Sequence, residues 1–414
     1  MNARRVVITG TGTVNPLGNS TTATWDAIVA RASGIGPITR FDASHLPVRI
    51  AGEVRDFDPA QHYDEEMAKS AKRMDEFCNY AAAAAGEATR QAGLDTIAER
   101  NRIGVSVGSG IGGLNVQHRN SVDLATKGHR RVSPFYIPMS IGNMASGMLS
   151  IMYGITGPNL SLQTACATAN HSMAMATMII GNGMADVMIA GGAEGTLTEL
   201  AIAGFANMRA LSTRNDSPQT ASRPYDADRD GFVLSEGAAI LVLEEYEHAK
   251  RRGAEILCEV LACGMSGDAY HFVQPDPEGR GAAASMRMAV EQAQIPTDRI
   301  GYINTHGTST PAGDVAELKG IHELIGGSVE ATHVSSTKSY HGHVLGATAG
   351  VEAIITINAM RNGLVPANLN IETLDPECPP LQLPTEHVEK RIDVAISNSF
   401  GFGGHNSSLV LGRV

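Results

Sequence analysis

The chain is poor in the features that mark several protein classes. Of its 414 residues, 5% are aromatic, 18% are charged and only 5 are cysteine. No apolar run reaches the roughly 18 residues of a membrane span, and the opening segment MNARRVVITG lacks the apolar stretch of a signal peptide. A hydrophobic fraction of 43% excludes a disordered chain. We therefore expect a folded cytoplasmic protein that has no membrane partner.

The cysteines form neither a disulfide framework nor a zinc motif. None lies in a C-x-x-C pattern, and a long chain without a secretory signal is expected in a reducing compartment. Each cysteine is first interpreted as a small buried apolar side chain. The five are Cys78, Cys166, Cys258, Cys263 and Cys378.

Positive charge is also scarce. Thirty-two Lys and Arg against forty-three Asp and Glu give a net charge of -11. This balance argues against a nucleic-acid groove as the main function. An acidic partner would have to dock on a local basic patch.

What the chain does contain is an alternation of two kinds of segment. Short apolar runs that end in glycine are separated by alanine- and methionine-rich stretches with helical spacing, which is typical of βαβ units whose sheets are covered on both faces. A layered α/β fold follows. The predicted strands are 5–10, 103–108, 185–192, 238–244, 300–307 and 393–401, and the clearest predicted helices are 74–93 and 171–183.

A weak internal repeat divides the chain in two. Segments 103–113 and 185–195 resemble segments 300–310 and 392–404, in the same order. The hydrophilic segment 244–255 is the expected junction between two related halves. Duplicated halves bring equivalent loops face to face, which suits a site built from both.

One glycine motif suggests nucleotide binding. Gly108 to Gly113 satisfies G-x-G-x-x-G after a predicted strand, but no acidic residue follows near Ser133 to hold a ribose hydroxyl. We interpret the motif as a tight turn under a pocket.

Cys166 is the candidate nucleophile. An extended run ends at Ala165, and small residues then begin a helix whose free N–H groups favour a thiolate. His306 and His343 follow extended runs, where α/β proteins place ligands. Two histidines in segments related by the repeat, opposite a cysteine, indicate catalysis by a thiol with histidine partners.

Other interpretations of nearby residues stay open at this point. Lys338 and Glu352 lie in apolar surroundings and either form a buried pair or sit at a solvated helix end. Glycines around Phe400 let backbone N–H groups approach a thioester carbonyl, or else form a hairpin with Phe400 and Phe402 in the core. A metal site is the remaining alternative, built from His306, His341, His343 and Asp314.

Four long motifs in order carry a resemblance that spans nearly the whole chain. They are TACATA around Cys166, NTHGTSTPAGD around His306, the run from Ser336 through GHVLGATAGVE, and SNSFGFGG from Ser397. Together they resemble the condensing enzymes of the thiolase fold, and most of all the synthase II group of the β-ketoacyl-[acyl-carrier-protein] synthases. The resemblance implies a five-layer αβαβα sandwich of two duplicated halves, with the nucleophile in residues 1–255 and both histidines in 256–414.

The resemblance also implies an activity. An acyl chain is held as a thioester on Cys166 and condenses with decarboxylating malonyl-carrier protein, which elongates fatty acids by two carbons. It implies a cytoplasmic homodimer without metal or redox cofactor, whose phosphopantetheine arm arrives on the acyl carrier protein. The alternatives are a stand-alone ketosynthase of polyketide or polyene biosynthesis, a non-catalytic chain-length partner that would lack the nucleophile, and a metal-dependent hydrolase.

Roles for single residues follow from the same resemblance. His306 and His343 donate hydrogen bonds to the enolate, Lys338 and Glu352 support them, and the amides of Cys166 and Phe400 form the oxyanion hole, with Phe400 as the gate. Thr308 and Thr310 meet the pantetheine arm. The acyl tunnel is lined by Ile111, Tyr136 and Phe205. Carrier-protein docking falls to Lys72, Arg73, Lys127, Arg130, Arg131 and Arg209.

Three residues near the expected site depart from the family pattern. They are His341, where relatives have a small residue, Val273, where a threonine is common, and His405, where many relatives have threonine. These changes suggest altered substrate preference or a specialised pathway.

Overall fold

The computed structural model describes residues 4–63 and 73–414, and everything below refers to these residues. The strands are β1 (Val6–Val14), β2 (Ile35–Pro37), β3 (Ile50–Gly52), β4 (Ile103–Gly108), β5 (Asn159–Leu160), β6 (Val187–Glu194), β7 (Gly237–Glu245), β8 (Cys258–Gly267), β9 (Ile300–Asn304), β10 (His333–Ser335), β11 (Leu364–Val365), β12 (Val388–Glu389), β13 (Val394–Gly401) and β14 (His405–Gly412).

The helices alternate with these strands. They are α1 (Thr21–Val29), α2 (Glu76–Gln91), α3 (Leu114–Lys127), α4 (Tyr136–Ser140), α5 (Met144–Tyr153), α6 (Thr168–Gly181), α7 (Glu199–Asn207), α8 (Tyr246–Arg251), α9 (Arg280–Ala293), α10 (Pro311–Ile325), α11 (Lys338–His341) and α12 (Thr348–Asn362).

Ten strands form one hydrogen-bonded sheet, and its two sets of five strands have the same topology. The order is β10-β9-β13-β14-β8-β1-β7-β6-β4-β5. Each set of five has parallel pairing at its outer strands and antiparallel pairing at its inner ones. The sets join where Val6–Ile8 pair with Cys258–Val260. The predicted duplication is therefore confirmed in the strand order, while the boundary at residues 255 and 256 stays a prediction.

Helices cover both faces of each set, which gives the five layers expected. Helices α6 and α12 contact each other and strands from both sets, whereas α2 packs on β1, β6 and β7, and α9 packs on β8 and β14. Strands β1, β6 and β7 are buried along their whole length because both faces are covered.

Glycines let the outer helices touch the sheet at matching places in the two halves. A Cβ on Gly10 of β1 would lie 2.1 Å from the Ala88 carbonyl oxygen of α2. A Cβ on Gly264 of β8 would lie 1.8 Å from the Ser285 carbonyl oxygen of α9. Such contacts exclude any side chain, so the backbone of each half's first strand lies directly against its outer helix.

Candidate active site

Cys166 sits at a strained turn that begins the central helix α6. Ala165 has a φ of 48°, a left-handed conformation that costs a residue other than glycine of order 1 kcal/mol. The Thr168 hydroxyl donates to the Ala165 carbonyl at 2.7 Å and accepts from the Thr164 amide at 2.9 Å. The turn thereby aims the Cys166 side chain into the molecule, where the residue is 7% exposed.

The second half contains the same turn without a nucleophile. Leu345 has a φ of 46°, and residues 345–347 form a turn that leads into α12, as residues 165–167 lead into α6. The two turns contact each other. Gly346 occupies the place that corresponds to Cys166, so the duplication supplies one thiol and one glycine at facing positions.

The two predicted histidines meet the thiol. His343 Nε2 lies 3.0 Å from Cys166 Sγ, and His343 Nδ1 lies 3.0 Å from the Thr348 hydroxyl. The rings of His306 and His343 have centroids 5.5 Å apart at 82°. The sulfur and one nitrogen of each ring all lie within 4.8 Å of one another. Cys166, His306 and His343 thus share one small site contributed by both halves.

A buried carboxylate holds the His306 turn. The amides of His306 and Gly307 donate to the two oxygens of Glu317 at 2.8 and 2.7 Å. Sequence reasoning assigned no role to Glu317. It also missed Thr348, since neither hydroxyl nor carboxylate partners of a histidine are evident before the loops are folded.

Burial favours the uncharged forms of the three reactive side chains. It raises the pKa of the Cys166 thiol to about 12, against the opposing charge of Lys338. Burial, followed by the positive charge of Lys338, lowers the pKa of His306 and of His343 well below the usual range. Burial thus opposes the thiolate that the helix N-terminus is expected to favour, and the charge of the thiol stays a prediction.

Lys338 and Glu352 form a buried pair, and the solvated alternative is wrong. Their side chains are 1% and 0% exposed, and Nζ lies 2.6 Å from Glu352 Oε1. Burial raises the pKa of Glu352 to about 8, although Lys338 acts in the opposite direction. The pair fixes α11 against α12 directly behind the histidines.

The structure brings the backbone of Phe402 near the thiol, and Phe400 beside His306. Phe400 lies within β13, opposite Asn406, and its ring is tilted beside His306 with centroids 5.8 Å apart. The backbone of Phe402 lies close enough to the Cys166 thiol to lower its pKa. A Cβ on Gly401 would lie 3.1 Å from the Cys166 amide nitrogen, so this glycine permits the approach. The oxyanion role of Phe400 stays a prediction, and the amide of Phe402 is a second candidate donor.

Two of the three predicted acyl-tunnel residues pack on the apolar cluster to which the nucleophile belongs. Ile111 and Phe205 pack on the apolar cluster that contains Cys166. Tyr136 begins α4 and is not a member of that cluster, so its role stays a prediction. Thr308 and Thr310, whose hydroxyl oxygens lie 3.0 Å apart, follow the His306 turn.

The predicted docking residues are solvent-facing where they are described. The Arg73 guanidinium lies 5.2 Å from the Phe135 ring centroid, and Lys127 pairs with Asp123 at 2.7 Å. Lys72 lies outside the described residues. Arg130, Arg131 and Arg209 are exposed.

The metal site considered above is not assembled in the described chain. Asp314 Oδ2 lies 3.3 Å from the Arg229 guanidinium, and His341 Nε2 lies 3.3 Å from the Thr337 hydroxyl. Cys166, not these two, accompanies His306 and His343. The alternative fails because both extra ligands are turned to other partners.

The three departures from the family pattern have different surroundings. His341 is fully buried, which lowers its pKa to about 3. The Val273 amide donates to His271 Nδ1 at 3.0 Å on the surface. His405 is exposed, with its ring centroid 6.4 Å from that of His171.

Among the described residues, every helix falls short of the length and apolar character needed to cross a membrane.

Comparison with known proteins covers the whole chain. Residues 3–249 match the family model described as "Beta-ketoacyl synthase, N-terminal domain", and residues 257–372 match its C-terminal domain. The chain is 50% identical to a Coxiella burnetii protein and 48% identical to one from Vibrio cholerae, over 100% of each chain. Both relatives are named "3-oxoacyl-[acyl-carrier-protein] synthase 2".

A solved structure has the same fold at lower identity. It is a ketosynthase complex described as a "type II PKS acyl-carrier protein in complex with its ketosynthase bound to the hexaketide". The TM-score is 0.91 at 29% identity, with 100% of both chains covered.

Proposed function

Since this chain belongs to the β-ketoacyl synthase family, we propose that it is a 3-oxoacyl-[acyl-carrier-protein] synthase that elongates fatty acids. It is an acyltransferase-type condensing enzyme. The observation that carries the proposal is the 3.0 Å contact of His343 Nε2 with Cys166 Sγ, next to His306 and the Phe402 amide. The thiol and the two imidazoles can all be neutral before substrate arrives.

The first half-reaction loads the acyl chain. Neutral His343 accepts the thiol proton as Cys166 sulfur attacks the acyl thioester, and the proton leaves on the thiol of the departing pantetheine. The backbone amides of Cys166 and Phe402 are the donors for the tetrahedral oxyanion. One such donor contributes about 3 kcal/mol to the transition state.

The second half-reaction makes the carbon–carbon bond. The malonyl thioester loses carbon dioxide, and the electron pair of the broken C–C bond passes into an enolate. The enolate oxygen accepts from an N–H group of neutral His306 and from His343 Nε2–H, the ring being in this step the tautomer whose Nδ1 accepts from the Thr348 hydroxyl. The enolate carbon attacks the acyl carbonyl, the Cys166 sulfur leaves as a thiolate, and this thiolate takes up one proton from water. The lowered pKa of each histidine supports this step. A neutral imidazole is not held in an ion pair, so its N–H group is free to donate to the enolate.

The proposed setting is a cytoplasmic homodimer that works with an acyl carrier protein and has no resident cofactor. Strand β5 is an edge strand of the ten-stranded sheet, and Ile151 on the adjoining helix α5 is 73% exposed. An unpaired edge next to an apolar side chain supports pairing with a second copy. The phosphopantetheine arm is supplied by the carrier protein.

The test is a product assay. Purified protein is given acyl-carrier proteins of graded chain length together with malonyl-carrier protein, and the products are identified by mass spectrometry. We expect a 3-oxoacyl chain two carbons longer and one carbon dioxide per turnover. Repeated condensation without reduction would instead favour the polyketide alternative, which the hexaketide-bound neighbour supports. Absence of any condensation would exclude both.

Charge reversal at the docking face should weaken carrier binding without affecting chemistry. We expect Arg130→Glu to raise KM for acyl-carrier protein about tenfold at low salt, and less at high salt because exposed charges are screened. KM for a carrier-free acyl-pantetheine should not change. Arg391→Glu is the matched control, since Arg391 is 76% exposed beside Asp393, near the opposite end of β13 from the thiol. An equal effect of both substitutions would contradict the docking assignment.

A further inference from the structure

Glu194 is a buried carboxylate that the reaction described above does not use. It ends strand β6 and is 0% exposed. Its oxygens accept four hydrogen bonds from two segments far apart in sequence. Oε1 accepts from the Ser109 hydroxyl at 3.0 Å and the Ile111 amide at 3.3 Å. Oε2 accepts from the amides of Gly110 at 2.8 Å and Gly346 at 3.0 Å.

The two segments belong to different parts of the active site. Residues 109–111 carry Ile111, which packs on the apolar cluster around Cys166. Gly346 lies three residues after His343, in the strained turn that begins at Leu345. Glu194 therefore ties the loop beside the acyl chain to the turn behind the catalytic imidazole.

The two segments are in such close contact that neither Gly110 nor Gly346 has space for a side chain. A Cβ on Gly346 would lie 2.3 Å from the Gly110 amide nitrogen, and a Cβ on Gly110 would lie 2.7 Å from Glu194 Oε2. Four donors on two oxygens favour the ionised carboxylate, although burial raises the pKa of Glu194 to about 7. The same negative charge raises the pKa of the Cys166 thiol.

We propose that Glu194 is a positioning residue that locks the acyl-pocket loop 109–111 onto the His343 turn, so that chain-length selectivity and histidine placement are set by one carboxylate. The proposal rests on the proposed function, because it assigns Ile111 to the acyl pocket. It also explains the glycine motif at 108–113, whose amides bind this side chain instead of a phosphate.

The test compares Glu194→Gln with Glu194→Asp. The glutamine has the same size, but its NH₂ group would face an N–H donor and its charge is gone. The aspartate keeps the charge but is too short for all four bonds. We expect both to change the ratio of kcat/KM for long against short acyl-carrier substrates about tenfold, the effect of losing a hydrogen bond to a charged group.

A second measurement separates charge from geometry. The rate at which iodoacetamide alkylates Cys166 is followed against pH. Removing a nearby negative charge favours the thiolate, so the midpoint for Glu194→Gln should move to lower pH, while that for Glu194→Asp should stay near the wild-type value. A general loss of structure would not produce this difference between the two variants.

Glu236→Gln is the matched control. Glu236 is equally buried, and burial raises its pKa to about 7 as well, but it binds the Val54 amide and Arg40. We expect it to lower thermal stability without changing either the acyl ratio or the alkylation profile. An unchanged ratio and profile in both Glu194 variants would overturn the proposal. Wild-type protein that fails to condense any acyl chain would instead overturn the proposed function.

Discussion

Replacing Cys166 with alanine abolishes acyl transfer, with an expected loss of at least about 10⁴-fold. The reason is that Cys166 is the cysteine whose sulfur lies 3.0 Å from His343 Nε2 and within reach of His306. Incubation with radiolabelled acyl-carrier protein followed by protein precipitation measures the covalent acyl-enzyme directly. Cys258→Ala is the matched control, because Cys258 is also buried but lies in β8 away from the histidines. Acyl-enzyme formation by Cys166→Ala would contradict the nucleophile assignment.

The variant Cys166→Gln separates the two half-reactions. Decarboxylation of malonyl-carrier protein depends on N–H donors and not on the thiol, so we expect release of carbon dioxide to continue while condensation stops. Carbon dioxide and acetyl-carrier protein are the products to measure. Loss of decarboxylation together with condensation would mean that the thiol takes part in both steps.

Replacing His306 with alanine has the second largest expected effect. His343 is the residue that touches Cys166 Sγ, whereas His306 faces the His343 ring and adjoins Phe400. We therefore expect decarboxylation to fall by about 10² to 10³, the usual effect of removing one donor to an oxyanion. Acyl transfer to Cys166 should change by less than about tenfold, because the proton acceptor remains.

The control for His306 is another buried histidine from the same region. His341→Gln removes an imidazole that contacts Thr337 and does not reach the thiol group. We expect the rates of both half-reactions to stay within about threefold of wild type. This is the scale expected when packing changes at a residue that does not touch the reacting atoms. An acyl-transfer defect in His306→Ala as large as its decarboxylation defect would contradict the division of roles between the two histidines.

Much of the fold could be predicted from hydrophobic runs. The six predicted strands are confirmed as β1, β4, β6, β7, β9 and β13, and the two helices as α2 and α6. Strand β14 was not among them, because its first half, His405 to Ser408, is polar and becomes a strand by pairing with β8 and β13. Within the run at 300–307, the strand ends at Asn304. The chain turns there because the amides of His306 and Gly307 donate to the Glu317 carboxylate.

The site was predicted in its residues but not in its electrostatics. A motif indicates which side chains belong together, as Cys166, His306 and His343 do. It does not show how completely they lose solvent, and burial opposes the charge expected for the thiol. Nor does the spacing of SNSFGFGG reveal which amide faces the sulfur, because that depends on β13 ending at Gly401 and leaving Phe402 free to turn.

The glycine that faces the nucleophile has a consequence for stoichiometry. The two turns, at Ala165–Ala167 and Leu345–Ala347, are equivalent by the duplication, yet a side chain at Gly346 would collide with Gly110 and Glu194. The second half therefore has no room for a thiol of its own. We therefore expect each polypeptide to carry a single acyl chain at a time, on the one thiol at a site that both halves build.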